Sequence, residues 1–125
     1  MGTRQSIPQT VFNSGLTFGA SNTIDLLANT NDFLVPDLED TVELRINCVG
    51  NNDLTGLVVP DDTVAQWIIV FNVGTGNINL KDNSGLSSAN NRFLMGANKT
   101  IQPDEGLAMI YDDVDKRWRI YGINI

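Results

Sequence analysis

A chain of 125 residues is long enough for one domain that folds around its own core. Its fifteen acidic and eight basic residues give a net charge of −7, which repels phosphate groups and argues against nucleic-acid binding. The absence of histidine excludes His-dependent nucleophilic catalysis and His-ligated zinc, and the single Cys48 excludes an internal disulfide.

The N-terminal part of the chain differs in composition from the rest. Residues 1–22 are rich in small and polar side chains, contain no acid, and are predicted to form an extended N-terminal arm. No apolar run of the kind that a signal peptide needs follows Met1, so we expect a protein that is made in a cytoplasm and not exported by the usual route. The run 23–27 fits either a short strand or one helical turn capped by Ser21 or Asn22.

Alternation of apolar and polar residues predicts strands in the middle of the chain. Residues 41–49 alternate cleanly and place Cys48 on the apolar side, so we expect a small buried side chain rather than a reactive thiol. The run 66–73 is almost continuously apolar, which predicts a central strand covered on both faces. Its most apolar part, 67–71, is far too short to cross a bilayer, so we expect no membrane association.

Further strands, separated by clusters of Gly, Asn, Asp and Pro, complete the domain. They are predicted at 54–59, 77–80, 92–95, 107–112 and 117–123. Residues 113–116 have the length and chemistry of a hairpin turn. We find no internal repeat and no linker, and therefore predict a single all-β domain over residues 23–125, a small β-sandwich or jelly roll.

Paired carboxylates are the catalytic arrangement that the sequence leaves open. The candidates are Asp61 with Asp62, Asp104 with Glu105, and the group Asp112, Asp113 and Asp115. All of them lie in predicted turns, where acids commonly cap backbone groups, so we expect no enzyme, no cofactor and no metal. The last group could supply oxygen ligands to calcium, but it lacks the EF-hand spacing. We expect its acids to face Lys116, Arg117 or Arg119 across the hairpin instead.

The last predicted strand separates two kinds of side chain. Alternation puts Trp118 and Ile120 on one face and Arg117, Arg119 and Tyr121 on the other. We therefore predict that Trp118 belongs to the core, and that the arginines and Tyr121 form a contact surface with another subunit or a partner. The alternative is a patch on which the aromatic rings stack against a sugar.

Several short segments, taken in order, resemble a module of phage virion proteins. They are 54–57, 69–80, 87–93, 100–106, 111–112 and 117–119. Such modules occur at the tips of tail and head fibres and as capsid decoration (cement) proteins. The resemblance implies a β-rich homotrimer located in the virion and made in the cytoplasm of a bacterial host, and it supplies no catalytic residue.

The absence of a shaft favours the capsid among these locations. The sequence has no heptads, no collagen-like glycine repeat and no repeated β-motif that would project a fibre tip outward. We therefore expect a cement protein that binds the major capsid protein as a homotrimer. The candidate contact residues of the arm are Arg4, Ile7, Val11 and Phe12.

The alternative is a receptor-binding module of a fibre tip or baseplate that recognises carbohydrate on the host surface. The predicted loops 50–53, 81–91 and 96–99 would then form the receptor surface. A third reading is a small polysaccharide-active enzyme, which would have to use one of the carboxylate groups in the turns.

Overall fold

The computed structural model describes residues 20–120, which fold into nine strands and two short 3-10 helices, without an α-helix in that range. The strands are β1 (Ala20–Leu26), β2 (Thr41–Cys48), β3 (Asn52–Leu54), β4 (Trp67–Asn72), β5 (Ile78–Leu80), β6 (Phe93–Leu94), β7 (Lys99–Ile101), β8 (Gly106–Asp112) and β9 (Arg117–Ile120), and the 3-10 helices are Leu38–Asp40 and Ala89–Asn91. The prediction of an all-β fold is confirmed.

The strands form a large sheet of six and a small sheet of three. The large sheet has the order β1-β2-β4-β8-β9-β6 and the small sheet the order β3-β5-β7. β1, β2 and β4 run parallel, and so do β3 and β5. From β1 to β4 the chain therefore passes from one sheet to the other and returns one position further along each time, as in a short β-solenoid. After β5 it crosses instead to β6 at the far edge of the large sheet, next to β9. This topology differs from the expected jelly roll, in which neighbouring strands are antiparallel.

Three coils stack in register through these parallel strands. Ile24 lies beside Ile46, and Ile46 lies beside Asn72. The first coil continues onto the small sheet, where Thr30 forms a parallel bridge with Leu54 of β3. The coils therefore repeat in space although the sequence shows no repeat. An antiparallel hairpin, β8 and β9, extends the large sheet beyond β4, and β6 is the last strand of the sheet, next to β9.

The start of the fold lies slightly earlier than the sequence indicated. β1 begins at Ala20, inside the predicted arm, and the ambiguous run 23–27 falls on this strand rather than on a helical turn. β1 pairs with β2 along its whole length, and Ile24 lies opposite Ile46. This pairing explains why the run forms a strand, because a strand gains ladder hydrogen bonds that an isolated helical turn lacks. The rest of the predicted arm, residues 1–19, lies outside the described residues.

Most of the other predicted strands are found with shifted ends, but the predicted strand 54–59 coincides with β3 at Leu54 alone, and β7 was not predicted. The clean alternation of 41–49 corresponds to β2, and the apolar run 66–73 to β4. The predicted turn at 50–53 is shorter than expected, because Gly50 makes the reversal with a φ of 76° and β3 begins at Asn52. The turn at 113–116 joins β8 to β9 as predicted.

The space between the two sheets is filled by apolar side chains. Those from the large sheet, such as Leu44 and Val70, meet Leu54 and Leu80 from the small sheet, and all of them are buried. The void left among them is about 10 Å³, which is barely the size of one water molecule. Cys48 is fully buried, as predicted. Because this interior is full, any ligand or partner of the described fold binds to its outside.

Asparagine side chains join successive coils at their corners. The Oδ1 atom of Asn29 accepts a hydrogen bond from the backbone N–H of Asp53 at 2.8 Å, and that of Asn51 accepts one from the N–H of Asn77 at 2.9 Å. Asn72, which is fully buried, donates to the carbonyl groups of Gly76 and Ile101. Corner backbone groups have no strand partner, so these amides satisfy them. This role explains why Asn stands at these positions of the sequence.

Candidate functional site

The outward side of the large sheet combines a row of apolar side chains with paired charges. We call this surface the large-sheet face and define it by the outward side chains of β1, β2, β4, β8 and β9. Its centre is a row of apolar residues, all partly exposed except Ala108, which is 9% exposed. They are Trp67, Ile69 and Phe71 on β4, and Ala108 and Ile110 on β8.

Strand pairing brings charged residues to both sides of this apolar row. Ile69 lies between Glu43 of β2 and Ala108 of β8. Ile110 lies next to Arg119 of β9 in the same way. On the sheet, directly opposite side chains are close enough to touch, so the apolar row and its charged flanks form one continuous surface.

Few of the acids of this protein lie on the large-sheet face. All fifteen acids and seven of the eight bases belong to residues 20–120. The outward positions of the large sheet carry three of each, namely Asp25, Glu43 and Asp112 together with Arg45, Arg117 and Arg119. The remaining described residues thus carry twelve acids against four bases, so the face is neutral and the rest of the surface is acidic.

Arg119 is held by two carboxylates at the hairpin end of the face. Its Nε and Nη2 atoms each lie 2.7 Å from a carboxylate oxygen, of Asp112 and Asp115 respectively. The hydrogen bond from Arg119 holds the pKa of Asp112 below its ordinary value, and the backbone N–H groups of Asp115 and Val114 act in the same direction. The two carboxylates raise the pKa of Arg119. The expectation that these acids face an arginine across the hairpin is confirmed.

Because of this ion pair, the stability of the fold should vary with pH in the acidic range. Because the folded-state pKa of Asp112 is lowered, its stabilising effect is complete above the ordinary value of 3.8 and is lost as the pH falls through the folded-state value. We expect Asp112→Asn to be less stable than the natural protein at pH 7, with the difference shrinking below about pH 4. Thermal unfolding between pH 2 and 7 measures this difference.

Asp113→Asn is the matched control, because it changes a carboxylate of the same turn that is not one of the two bound by Arg119. We expect the thermal stability of Asp113→Asn to vary with pH in the same way as that of the natural protein. A stability difference for Asp112→Asn that stays constant down to pH 2 would show that the ion pair does not stabilise the folded state.

The other sequence-predicted contact residues are placed only in part. Arg117 is partly exposed on the face, where its Nε atom donates to the side-chain oxygen of Asn83 at 3.2 Å. Trp118, between the two arginines, is fully buried, so the predicted division of β9 into a core face and an outward face is confirmed. The candidates Arg4, Ile7, Val11, Phe12 and Tyr121 lie outside the described residues.

The apolar row on β4 and β8 was not among the sequence-predicted contact residues. The run 66–73 was expected to be covered on both faces, and the structure covers one of them. Ile68 and Val70 point into the core and are buried, whereas Ile69 and Phe71 point outward and are partly exposed. The signal was present in the sequence as apolar residues at the outward positions of a strand, but periodicity alone cannot tell which face has a cover.

A polar groove lies on the opposite side of the molecule, along the small sheet. Its volume is about 430 Å³, and the residues that line it include Asn29, Asn31, Asp53, Thr55, Lys81 and Asp82. The predicted loops 81–91 and 96–99 meet beside it, where the Oδ1 atom of Asn98 accepts a hydrogen bond from the backbone N–H of Asp82 at 2.8 Å. Asp53, at the end of the predicted loop 50–53, lines the same groove, so all three loops predicted for a receptor surface are neighbours.

Three of the carboxylates considered for catalysis, those of Asp61, Glu105 and Asp112, accept hydrogen bonds from backbone N–H groups of turns. Asp61 accepts hydrogen bonds from the hydroxyl and backbone N–H of Thr63, and the hydroxyl bond lowers the pKa of Asp61. Glu105 accepts a hydrogen bond from the backbone N–H of Gln102 at 2.9 Å. Asp112 accepts from the backbone of its own turn. A general acid needs a raised pKa, which is the opposite of what Asp61 and Asp112 have.

Within residues 20–120, no group of three His, Cys, Asp or Glu side chains is arranged to hold a metal ion. In the same range, no helix has the length and hydropathy needed to cross a membrane.

Comparison of the chain with protein-family models, with curated proteins and with solved structures found no match.

Proposed function

We propose that this protein is a phage capsid decoration (cement) protein that binds the assembled shell as a homotrimer and stabilises it. The observation that carries this proposal is the large-sheet face, in which equal numbers of acidic and basic side chains flank an apolar row on an otherwise acidic protein. A surface of this kind fits association with protein, because interfaces have apolar centres with polar rims. The resemblance of the short segments between residues 54 and 119 to phage virion modules points to the virion, and the absence of a fibre shaft in the sequence favours the capsid within it.

The shape of the described fold supports a role at a shell rather than at the end of a fibre. Three short coils and a hairpin make a compact body, and its filled interior leaves the outer surfaces for binding. A protein of this kind stabilises a shell by binding the assembled form better than the unassembled subunits, because ligands shift an equilibrium toward the state they prefer. Production in the bacterial cytoplasm and a place on the capsid surface belong to the same proposal, as does the absence of enzymatic activity.

The N-terminal arm is the proposed contact with the major capsid protein. Residues 1–19 contain Arg4 and no acid, whereas the described body is strongly acidic. Such an arm can approach an acidic shell surface that repels the body. An extended arm can also add a strand to the edge of a neighbouring sheet. Its candidate contact residues are Arg4, Ile7, Val11 and Phe12.

Deletion of residues 2–19 tests this proposal and leaves β1, which begins at Ala20, intact. We expect the truncated protein to remain a folded trimer and to lose binding to capsids that lack the protein. Full-length protein should bind those capsids and raise the temperature at which they break. The measurements are co-sedimentation with capsids and the thermal stability of decorated and undecorated shells.

Arg4→Glu in the full-length chain is the control for charge, and we expect weaker binding that recovers as the salt concentration rises, because salt screens the new repulsion from the acidic shell surface. Full-length protein that ignores capsids would contradict the proposal. Truncated protein that falls apart into monomers would show that the arm belongs to the core of the trimer instead.

The polar groove of the small sheet favours a second candidate, a receptor-binding module that recognises host carbohydrate. Its volume of about 430 Å³ suits one or two sugar rings, and amide, carboxylate and ammonium groups can bind sugar hydroxyls. Lys81 lies at the groove with its Nζ atom 3.8 Å from a carboxylate oxygen of Asp53. Full-length protein that labels host cells, with labelling lost in Lys81→Ala, would favour this candidate over capsid decoration.

A further inference from the structure

β4, at the centre of the large-sheet face, has the residue pattern of a strand that is covered on both faces. Residues 66–73 carry apolar side chains at both inward and outward positions, a pattern typical of strands buried between two layers. Ile68 and Val70 have their layer in the small sheet, whereas Ile69 and Phe71 on the other side remain partly exposed. Large apolar side chains grouped on one face mark a surface that another body covers.

We propose that the large-sheet face is the surface through which three copies of this chain associate, with the apolar row against the three-fold axis. The inference rests on the trimer of the proposed function and names the surface that forms it. The three large sheets would stand as the walls of a prism, and Ile69, Phe71 and Ile110 of each copy would meet those of the other two.

The distribution of charge selects a second copy of the chain as the covering body. Outside the face, the described residues carry twelve acids and four bases, so identical copies repel each other there. The face itself is neutral, and it is the surface on which copies can approach without that repulsion. A different partner would need to bring matching charges, whereas a second copy already carries them.

The two halves of the face are complementary in charge. The β1–β2 half carries two acids and one base, namely Asp25, Glu43 and Arg45, and the β8–β9 half carries one acid and two bases, namely Asp112, Arg117 and Arg119. A rotation about a three-fold axis places the β1–β2 half of each copy against the β8–β9 half of the next. Asp112 and Asp115 bind Arg119 within its own copy, whereas Arg117 donates to uncharged oxygen atoms. Each junction of the ring therefore brings the net negative β1–β2 edge toward Arg117 of the next copy, which favours this closed arrangement.

The double variant Ile69→Lys with Phe71→Glu tests this surface and leaves the net charge unchanged. Within the sheet, Lys at 69 lies beside Glu43 and Glu at 71 lies beside Arg45, so each new charge has an opposite charge next to it in the monomer. At a three-fold axis both side chains would lose their water. We expect the natural protein to be a trimer and the variant to be a folded monomer, with each interface weakened about 1,000-fold.

The matched control places the same two residue types at exposed apolar positions elsewhere. Leu34→Lys with Val64→Glu changes residues that are 70% and 54% exposed and that lie outside the large-sheet face, and it should remain trimeric. Sedimentation velocity at micromolar concentration measures the assembly state, and circular dichroism measures folding. If the double variant does not fold, Ile69→Thr, which keeps the branched shape, replaces it and should weaken the trimer about tenfold.

The outcomes separate this inference from the proposed function. A double variant that is as trimeric as the natural protein would overturn the inference. So would a natural protein that is monomeric, as expected if the chain's own N-terminal residues cover the face, even if it still binds capsids. A trimeric natural protein that ignores capsids, with a monomeric double variant, would refute capsid decoration and support the surface proposed here.

Discussion

Replacing Trp118 with alanine should destabilise the fold by about 3–5 kcal/mol, because it removes the largest buried side chain of the core. Trp118 is fully buried on β9, and its ring packs edge to face against that of Tyr111 with centroids 5.0 Å apart. Its Nε1 atom donates to the carbonyl oxygen of Leu57, which lies on the small-sheet side of the core, at 2.8 Å. The side chain therefore joins the hairpin to the coils.

A loss of this size approaches the whole stability of an ordinary domain, so we expect little folded protein at 37 °C. Urea unfolding followed by circular dichroism measures it. Trp118→Phe is the control, because it keeps an aromatic ring against Tyr111 and removes the hydrogen bond to Leu57, and it should cost less than the alanine variant. A Trp118→Ala protein of natural stability would contradict the core assignment.

Gly76→Ala should be nearly as damaging, although it adds only one methyl group. A Cβ atom at this position would overlap the carbonyl oxygen of Gly50, which belongs to the preceding coil. Gly74 meets the backbone of Cys48 in the same way. Because backbone atoms cannot move aside as a flexible side chain can, we expect a loss of about 3 kcal/mol or more.

Gly85→Ala is the matched control for this prediction. Nothing lies within 4 Å of a Cβ atom at Gly85, so alanine fits there, and the reduced freedom of the unfolded chain should stabilise the protein by about 0.4–1 kcal/mol. Thermal unfolding of the two variants gives the comparison. Equal stability for Gly76→Ala and Gly85→Ala would mean that the coils are not stacked as closely as the structure has them.

Local patterns in the sequence were enough to predict most of the strands. The alternation that defines β2 and the turn that separates β8 from β9 depend on neighbours in the chain, which a sequence displays directly. The buried position of Trp118 followed from the same alternation. The acids in the turns were also predicted, since Asp61 and Asp112 accept hydrogen bonds from backbone groups two or three residues further along.

The pairing of the strands could not be predicted in the same way. Alternation says which side chains face the core, but it does not say whether the neighbouring strand is parallel or antiparallel. The sequence shows no repeat that would predict the coils, because the coils differ in length and because equivalent positions hold different residues. Ile24 and Ile46 are followed at the next level by Asn72, a buried polar side chain whose hydrogen bonds to Gly76 and Ile101 are visible only in three dimensions.

The candidate contact surface was predicted in part for a related reason. Arg117 and Arg119 could be assigned to an outward face, because β9 has a clear core residue between them. The apolar row could not be assigned, because a strand such as β4 with apolar residues on both sides fits two layers equally well. The structure shows that the small sheet covers the inward side of β4 and that its outward side has no such layer among the described residues.

The order of strands in the large sheet has a consequence for how the chain acquires its structure. β1, β2 and β4 can pair in the order in which they are synthesised: 22 residues separate Ile24 from its partner Ile46, and 26 separate Leu44 from Val70. β4 then has to wait for β8, since Ile69 pairs with Ala108. Pairings between such distant residues are slow to form, on the scale of milliseconds to seconds. Until β8 emerges from the ribosome, β4 is an apolar edge strand that can pair with other chains, so a product ending before Gly106 should aggregate rather than fold.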